Sequence, residues 1–238
     1  MKQIFSILMV LIMGWLLVSL VPLGQPTEPG SVAQHYIQHG VEENRGANLV
    51  TSVIVNYRGL DTLGEVTVLF LSVAGAGFVL RRRDTGLRHR CRPSSEIVQT
   101  GARLLFAPTL VFGAYIFVHG HLSPGGGFQG GAVVASAVLM LLLADRRIRL
   151  PHLFMNWMES MVGFAYVLTG LAGLIVAGSF LSNQGLLPLG TWNTLFSAGV
   201  IPVIYILVGL KVGTELASLL DNMIDTGRLY ASSEGDQP

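Results

Sequence analysis

The chain has 238 residues, about half of them hydrophobic and only 12% charged, where soluble domains carry about a quarter charged residues. A formal net charge of +1 gives no reason to expect nucleic acid as a partner. The composition instead predicts an all-α, polytopic membrane helical bundle, since uncharged stretches of this length must satisfy their own backbone hydrogen bonds within lipid.

A helix needs about 20 mostly apolar residues to cross the hydrocarbon core. Ile4 to Leu23 carries no charge and predicts the first span. A cleaved signal peptide is the rival reading, because Lys2 precedes the apolar run, but the run is long for such a segment and lacks a small-x-small cleavage site. Further spans are expected over Leu63 to Leu80, Gly101 to Val118 and Gly127 to Ala144. No charged residue occurs from Ser160 to Leu210. That stretch is too long for one helix and is divided by Ser182-Asn183-Gln184-Gly185 and Pro188, which are turn formers. It therefore supplies a fifth span and a sixth that ends near Leu220, for about six transmembrane helices. Pro108 and Pro202 fall inside spans and predict bends, with freed carbonyls that a cation path would use.

The basic residues set the orientation. With six spans, Lys2, the seven arginines from Arg81 to Arg103, the three from Arg146 to Arg149 and Arg228 share one side, leaving Arg45 and Arg58 on the other. The positive-inside rule then places both termini in the cytoplasm, in a multi-pass protein of the cell inner membrane. Residues 81–100 form a basic cytoplasmic linker between a two-helix piece, 1–80, and a four-helix domain, 101–238; its arginines mark topology and meet anionic lipid. The single cysteine, Cys91, lies in this linker, cannot form an intrachain disulfide and is read as a bystander.

In the first piece, Asn48 is a candidate N-cap, with Leu49, Val50, Val53, Ile54 and Tyr57 on one face of a short interfacial helix; a strand is the alternative. Asp61 and Glu65 lie four apart on one helical face, with Arg58 one turn before Asp61. The run Asn48 to Glu65, ending Asp61-Thr62-Leu63-Gly64-Glu65, resembles the C-terminal end of the large subunit of Mrp-type sodium/proton antiporters, a piece that is a separate small subunit in membrane-bound hydrogenases. In the second piece, Pro108, Tyr115, Gly120-His121 and Ser123-Pro124-Gly125-Gly126-Gly127-Phe128-Gln129-Gly130-Gly131 resemble the antiporter B subunit. The resemblance continues through Ser197 to Val200 and Gly209 to Gly213. Together these imply a fusion of the two parts. The function implied is that of a non-catalytic membrane subunit, which helps to build the path for Na+ and H+ and contacts the other antiporter subunits. The same module in a redox-driven complex such as a membrane-bound hydrogenase is one alternative. A structural scaffold with no residue on the path is another. No nucleophile triad, metal-ligand array or nucleotide motif is present, so neither enzyme activity nor a cofactor is expected.

The ion-path candidates are the ionisable residues within or beside spans, because each costs about 2.5 to 3.5 kcal/mol to insert and needs a partner, water or a task. They are Glu65, Asp61, Lys211, Glu215, His119 and His121. Glu65 reads either as a relay carboxylate or as an interfacial charge held by Arg58 or by water; the resemblance favours the relay. Lys211 and Glu215 lie four apart and can pair, with the lysine stem free to snorkel. Glu159 is expected to anchor the start of span five. His119 and His121 suit structural hydrogen bonds or proton handling, and with no nearby Cys or carboxylate no metal site is expected. Pro124, Gly125, Gly126, Gly127, Gly130 and Gly131 lack the Lys-Ser/Thr ending of a phosphate loop. They predict a tight turn and close helix packing, and Gly209 and Gly213 repeat the small-x-x-x-small spacing in the sixth span.

Overall fold

The computed structural model describes residues 2–20, 30–80, 94–145, 148–183 and 185–233. The arginines and Cys91 of 81–93, Arg146, Arg147 and the side chains of Lys2 and Arg228, on which the orientation and linker readings depend, lie outside the described residues. Two compact units emerge, 1–35 and 36–238.

The first unit contains α1, Lys2–Leu20, and the opening of α2, Ser31–Asn44. Its apolar core, Ile7–Leu16, is shorter than a span, since the expected segment runs on to Leu23, beyond the last described residue of the helix.

The second unit is built of helices and the loops between them, with no strand among the described residues. After α2 come α3 (Leu49–Ser52), a π-helical turn (Val53–Tyr57), α4 (Gly59–Leu80), α5 (Glu96–Val118), α6 (Gly127–Ala144), α7 (His152–Ala177) and α8 (Ile201–Ser233). Five of them, α4 to α8, are long and apolar enough to cross a membrane. Helices begin earlier than expected at α4 and α5, because Asp61 and Glu96 sit in first turns, where a carboxylate favours the helix N-terminus. The fourth span has the expected bounds.

α8 is the central helix and meets α4, α5, α6 and α7, which explains why its apolar residues Ile201, Ile204, Val208 and Val212 are buried while α4 and α7 keep exposed apolar faces. Its closest contacts run along a glycine seam. A Cβ added to Gly131 would lie 2.7 Å from the Gly209 carbonyl oxygen and 3.0 Å from Gly213 N, and one on Gly130 would lie 2.7 Å from the Gly113 carbonyl oxygen. Backbones this close admit no side chain at these positions, so α6 approaches α8 on one side and α5 on the other at glycines. The turn feeding α6 uses Gly125 and Gly126 at φ of +153° and +157°, where a side chain would strain the backbone.

Two expectations are corrected. Pro202 is the second residue of α8, where the missing N–H would have had no intrahelical partner, so it starts the helix rather than bending it; Pro108 alone lies inside a helix. The link between the last two spans is a structured segment, residues 178–200, with Leu181, Asn183, Ser197, Ala198 and Val200 buried.

Candidate functional site

Segment 178–200, the α5–α6 turn and the α3 region meet at one end of the bundle, the loop end. Asn48 caps α3, as the sequence suggests, its Oδ1 accepting from Thr51 N at 3.3 Å. Its Nδ2 also donates to the carbonyls of Gly120 and Ser123, each at 3.0 Å. Thr51 donates to the Gly120 carbonyl at 2.7 Å and accepts from Tyr205 OH at 3.1 Å. The expected apolar face of this segment is not the buried one: Thr51, Ser52 and Val55 are buried, while Val50 and Ile54 point outward. The π-helical turn shifts the register, and hydrogen bonding outweighs apolar burial where the outer surface is lipid.

Next to this lies an asparagine cluster that sequence reading missed. Asn44 Oδ1 accepts from Asn56 Nδ2 at 2.7 Å and from Asn183 Nδ2 at 3.4 Å. Asn56 Oδ1 accepts from Asn183 N at 3.1 Å, and Asn183 Oδ1 accepts from Val200 N at 2.8 Å. Three distant segments are thereby joined by neutral groups. The sequence offers a signal only at Asn56, which follows the apolar run Val53-Ile54-Val55; the convergence of the three is not written in it. Nearby, Tyr57 bonds Glu43 and stacks on Tyr36; burial and the Glu43 carboxylate hold its phenol protonated well above the usual range.

His121 is fully buried here, with Nε2 3.4 Å from the Thr194 carbonyl oxygen. Burial pushes its imidazole below the ordinary value of 6.5, and its Nδ1 has no hydrogen-bond partner among the described residues. His119 stacks on Tyr115, with centroids 4.1 Å apart, and its Nδ1 lies 3.1 Å from that residue's carbonyl oxygen. The two histidines are thus engaged separately. No group of three or more metal-ligating side chains occurs among the described residues.

The charged candidates separate into three places. Arg58 and Asp61 form an exposed ion pair at 2.5 Å, which removes Arg58 as the expected partner of Glu65. Glu65 stands on the exposed side of α4, with no ion pair among the described residues. Lys211 and Glu215 pair at 2.6 Å inside the bundle, with side chains 12% and 0% exposed. Lys211 Nζ also lies 5.0 Å from the centroid of the Phe70 ring, a favourable cation–π contact. The second carboxylate oxygen of Glu215, Oε2, has no donor among the described residues. Further along α8, Asp221 is buried as well, a residue passed over by sequence reading although it continues the polar run. Glu159, expected as an anchor at the start of the fifth span, lies two turns into α7, which begins at His152, and is half-buried.

Residues 97–218 match the family described as a domain related to the MnhB subunit of Na+/H+ antiporter. The chain belongs to the MnhB-related family. Residues 3–103 of this family member also match the MbhE family, described as the E subunit of MBH. Among relatives, the B subunit of the Na+/H+ antiporter of Bacillus subtilis (strain 168) is 36% identical over 91 residues, which cover 37% of this chain and 63% of that one. Two solved structures share the fold. One is a chain of the membrane-bound sulfane sulfur reductase, an archaeal respiratory membrane complex, with TM-score 0.77, 43% identity and coverage of 93% of this chain and 97% of the other. The second is a chain of the Mrp complex from Dietzia sp. DQ12-45-1b, with TM-score 0.71, 25% identity and coverage of 93% of this chain and 26% of that longer one. The MnhB-related member is therefore a multi-pass membrane protein whose relatives are subunits of multisubunit assemblies.

Proposed function

We propose that this chain is a non-catalytic membrane subunit of a multisubunit Mrp-type Na+/H+ antiporter, which contributes charged groups to the ion path and surfaces to subunit assembly. The buried Lys211–Glu215 pair carries the reading. A charge pair held at 2.6 Å inside an apolar helix bundle is weak evidence for stability, since its desolvation offsets much of its attraction, and in a transport family it fits a polar path. Glu65, exposed on a spanning helix, supports a partner subunit on that face, because a carboxylate facing lipid alone is costly. The two-part organisation joins an end piece of the large subunit, 1–80, to a B-like domain, 101–238, through the basic linker. Both termini and that linker face the cytoplasm of the inner membrane, and the loop end faces outward.

A second reading has its own support: near-complete coverage of both chains at 43% identity by a subunit of a respiratory complex. In that case the same ion module is driven by electron transfer in other subunits. Purified from its native membrane and reconstituted in vesicles, the antiporter assembly exchanges Na+ for H+ with no electron donor. An assembly that moves ions only when supplied with donor and acceptor, and that contains iron, establishes the respiratory reading instead. Within either assembly, Glu65→Gln should reduce ion movement at least tenfold with normal subunit composition; unchanged transport removes Glu65 from the path.

A further inference from the structure

Between α4, α7 and α8 lies a cavity of about 740 Å3 whose wall includes Phe70, Asn156, Glu159, Ser160, Ser218 and Asn222. Val73, Ala74, Gly77 and Phe78 complete the wall, and the polar groups set among these apolar ones call for water, since lipid cannot satisfy them. On α8, Lys211, Glu215, Ser218 and Asn222 recur at helical spacing and form one stripe. Two of its members wall the cavity, and Phe70 joins the cavity to the charge pair by also lying under Lys211. From α7, Glu159 lines the cavity and lies within electrostatic reach of Glu215.

Lys211, Glu215 and Glu159 together hold one cation and two carboxylates. No other cation pairs with Glu159 among the described residues, α4 adds no charge on this side because Glu65 is on its exposed side, and Asp221 of α8 has a partner of its own. One negative charge is left over in a medium of low dielectric constant. A proton neutralises it most readily, whereas a metal cation would be repelled by Lys211.

We infer that this cavity is an aqueous proton-access chamber and that Glu159 relays protons from its water to Glu215. The assignment rests on the ion-path reading above. A hydronium ion in the chamber gives its proton to the Glu159 carboxylate, and the same proton then passes beyond the chamber wall to the buried Glu215 Oε2, the oxygen without a donor. Once Glu215 is neutral it releases its hold on Lys211, and the positive charge of the lysine becomes available to drive the next transfer. The cavity lies toward the end where α4 finishes and α7 begins, which the proposed orientation places at the cytoplasmic side.

Water access is tested in the whole complex carrying Cys91→Ser, with Ser218→Cys, Asn222→Cys or, as a control on the exposed face of α4, Val68→Cys. A membrane-impermeant thiol reagent added at the cytoplasmic face should modify the first two and not the third. Failure to label Ser218→Cys, or labelling only from the opposite face, overturns the chamber. The relay is tested by Glu159→Gln, which should move the cytoplasmic pH profile of exchange about one unit toward acid and leave the KM for Na+ unchanged, with Glu159→Asp restoring the profile at least in part. An unchanged profile, or a tenfold change in KM for Na+ instead, overturns the relay. If the unmodified complex exchanges no ions, the functional reading fails, and the labelling still decides whether the chamber holds water.

Discussion

The loop end and the bundle interior solve the same problem, polar side chains inside a membrane protein, in opposite ways. At the loop end the buried groups are neutral and most donors meet acceptors: Asn44, Asn56 and Asn183 bond one another and Tyr205 bonds Thr51, while Ser52 Oγ, His121 Nδ1 and Ser197 Oγ have no partner among the described residues. In the interior the groups are charged, one carboxylate oxygen goes without a donor, and a cavity adjoins them. A bonded neutral network fixes geometry because each member loses more than it gains by moving. An open charged one has several arrangements of similar energy, which is the condition for passing charge.

Removing one charge sharpens the contrast most. Lys211→Met leaves Glu215 buried without a counter-ion, a change of about 3 to 5 kcal/mol in stability for broken buried pairs; transport should be abolished and the yield of assembled complex should fall severalfold. The double change Lys211→Met with Glu215→Leu should restore assembly and not transport, as read by subunit co-purification and vesicle exchange. A double variant that transports normally would show the pair to be a structural element like those at the loop end.

Next in size is Asn183→Ala, which removes the acceptor for Val200 N and the donor to Asn44, while the backbone bond to Asn56 Oδ1 remains. Buried groups left unsatisfied cost about 1 to 3 kcal/mol each. The complex should therefore melt several degrees lower, with the exchange rate per surviving complex unchanged. Loss of exchange without loss of stability would erase the distinction between the two regions.

The smallest effect is in the response to pH. His121 has its pKa lowered in the folded protein by burial, so the unfolded chain takes up a proton that the folded one refuses. Its contribution is fully present above the ordinary value of 6.5 and is lost as pH falls from there through the folded value. Thermal stability of the detergent-solubilised complex should decline over that window, and His121→Gln should flatten the decline.

The apolar helices from α4 to α8 were legible because lipid imposes length and charge limits on each helix separately. The Asn48 cap was legible too, since capping is local. The glycine spacings announced close packing, but not that Gly131 of α6 would face Gly209 and Gly213 of α8 while Gly130 faces α5. Ion-path candidates could be recognised one at a time. Their grouping could not: Arg58 pairs with Asp61 and not with Glu65, and Glu159, expected at a membrane boundary, lines a cavity near Glu215.

Sequence by itself thus determined an all-α membrane protein, its family resemblance and the short list of residues with chemistry to offer. Only the tertiary structure decided which of them meet, because side-chain contact between helices depends on crossing positions set by packing over the whole bundle. A charge within one helix has its partner written four residues away. A charge between helices has it written nowhere in the local sequence.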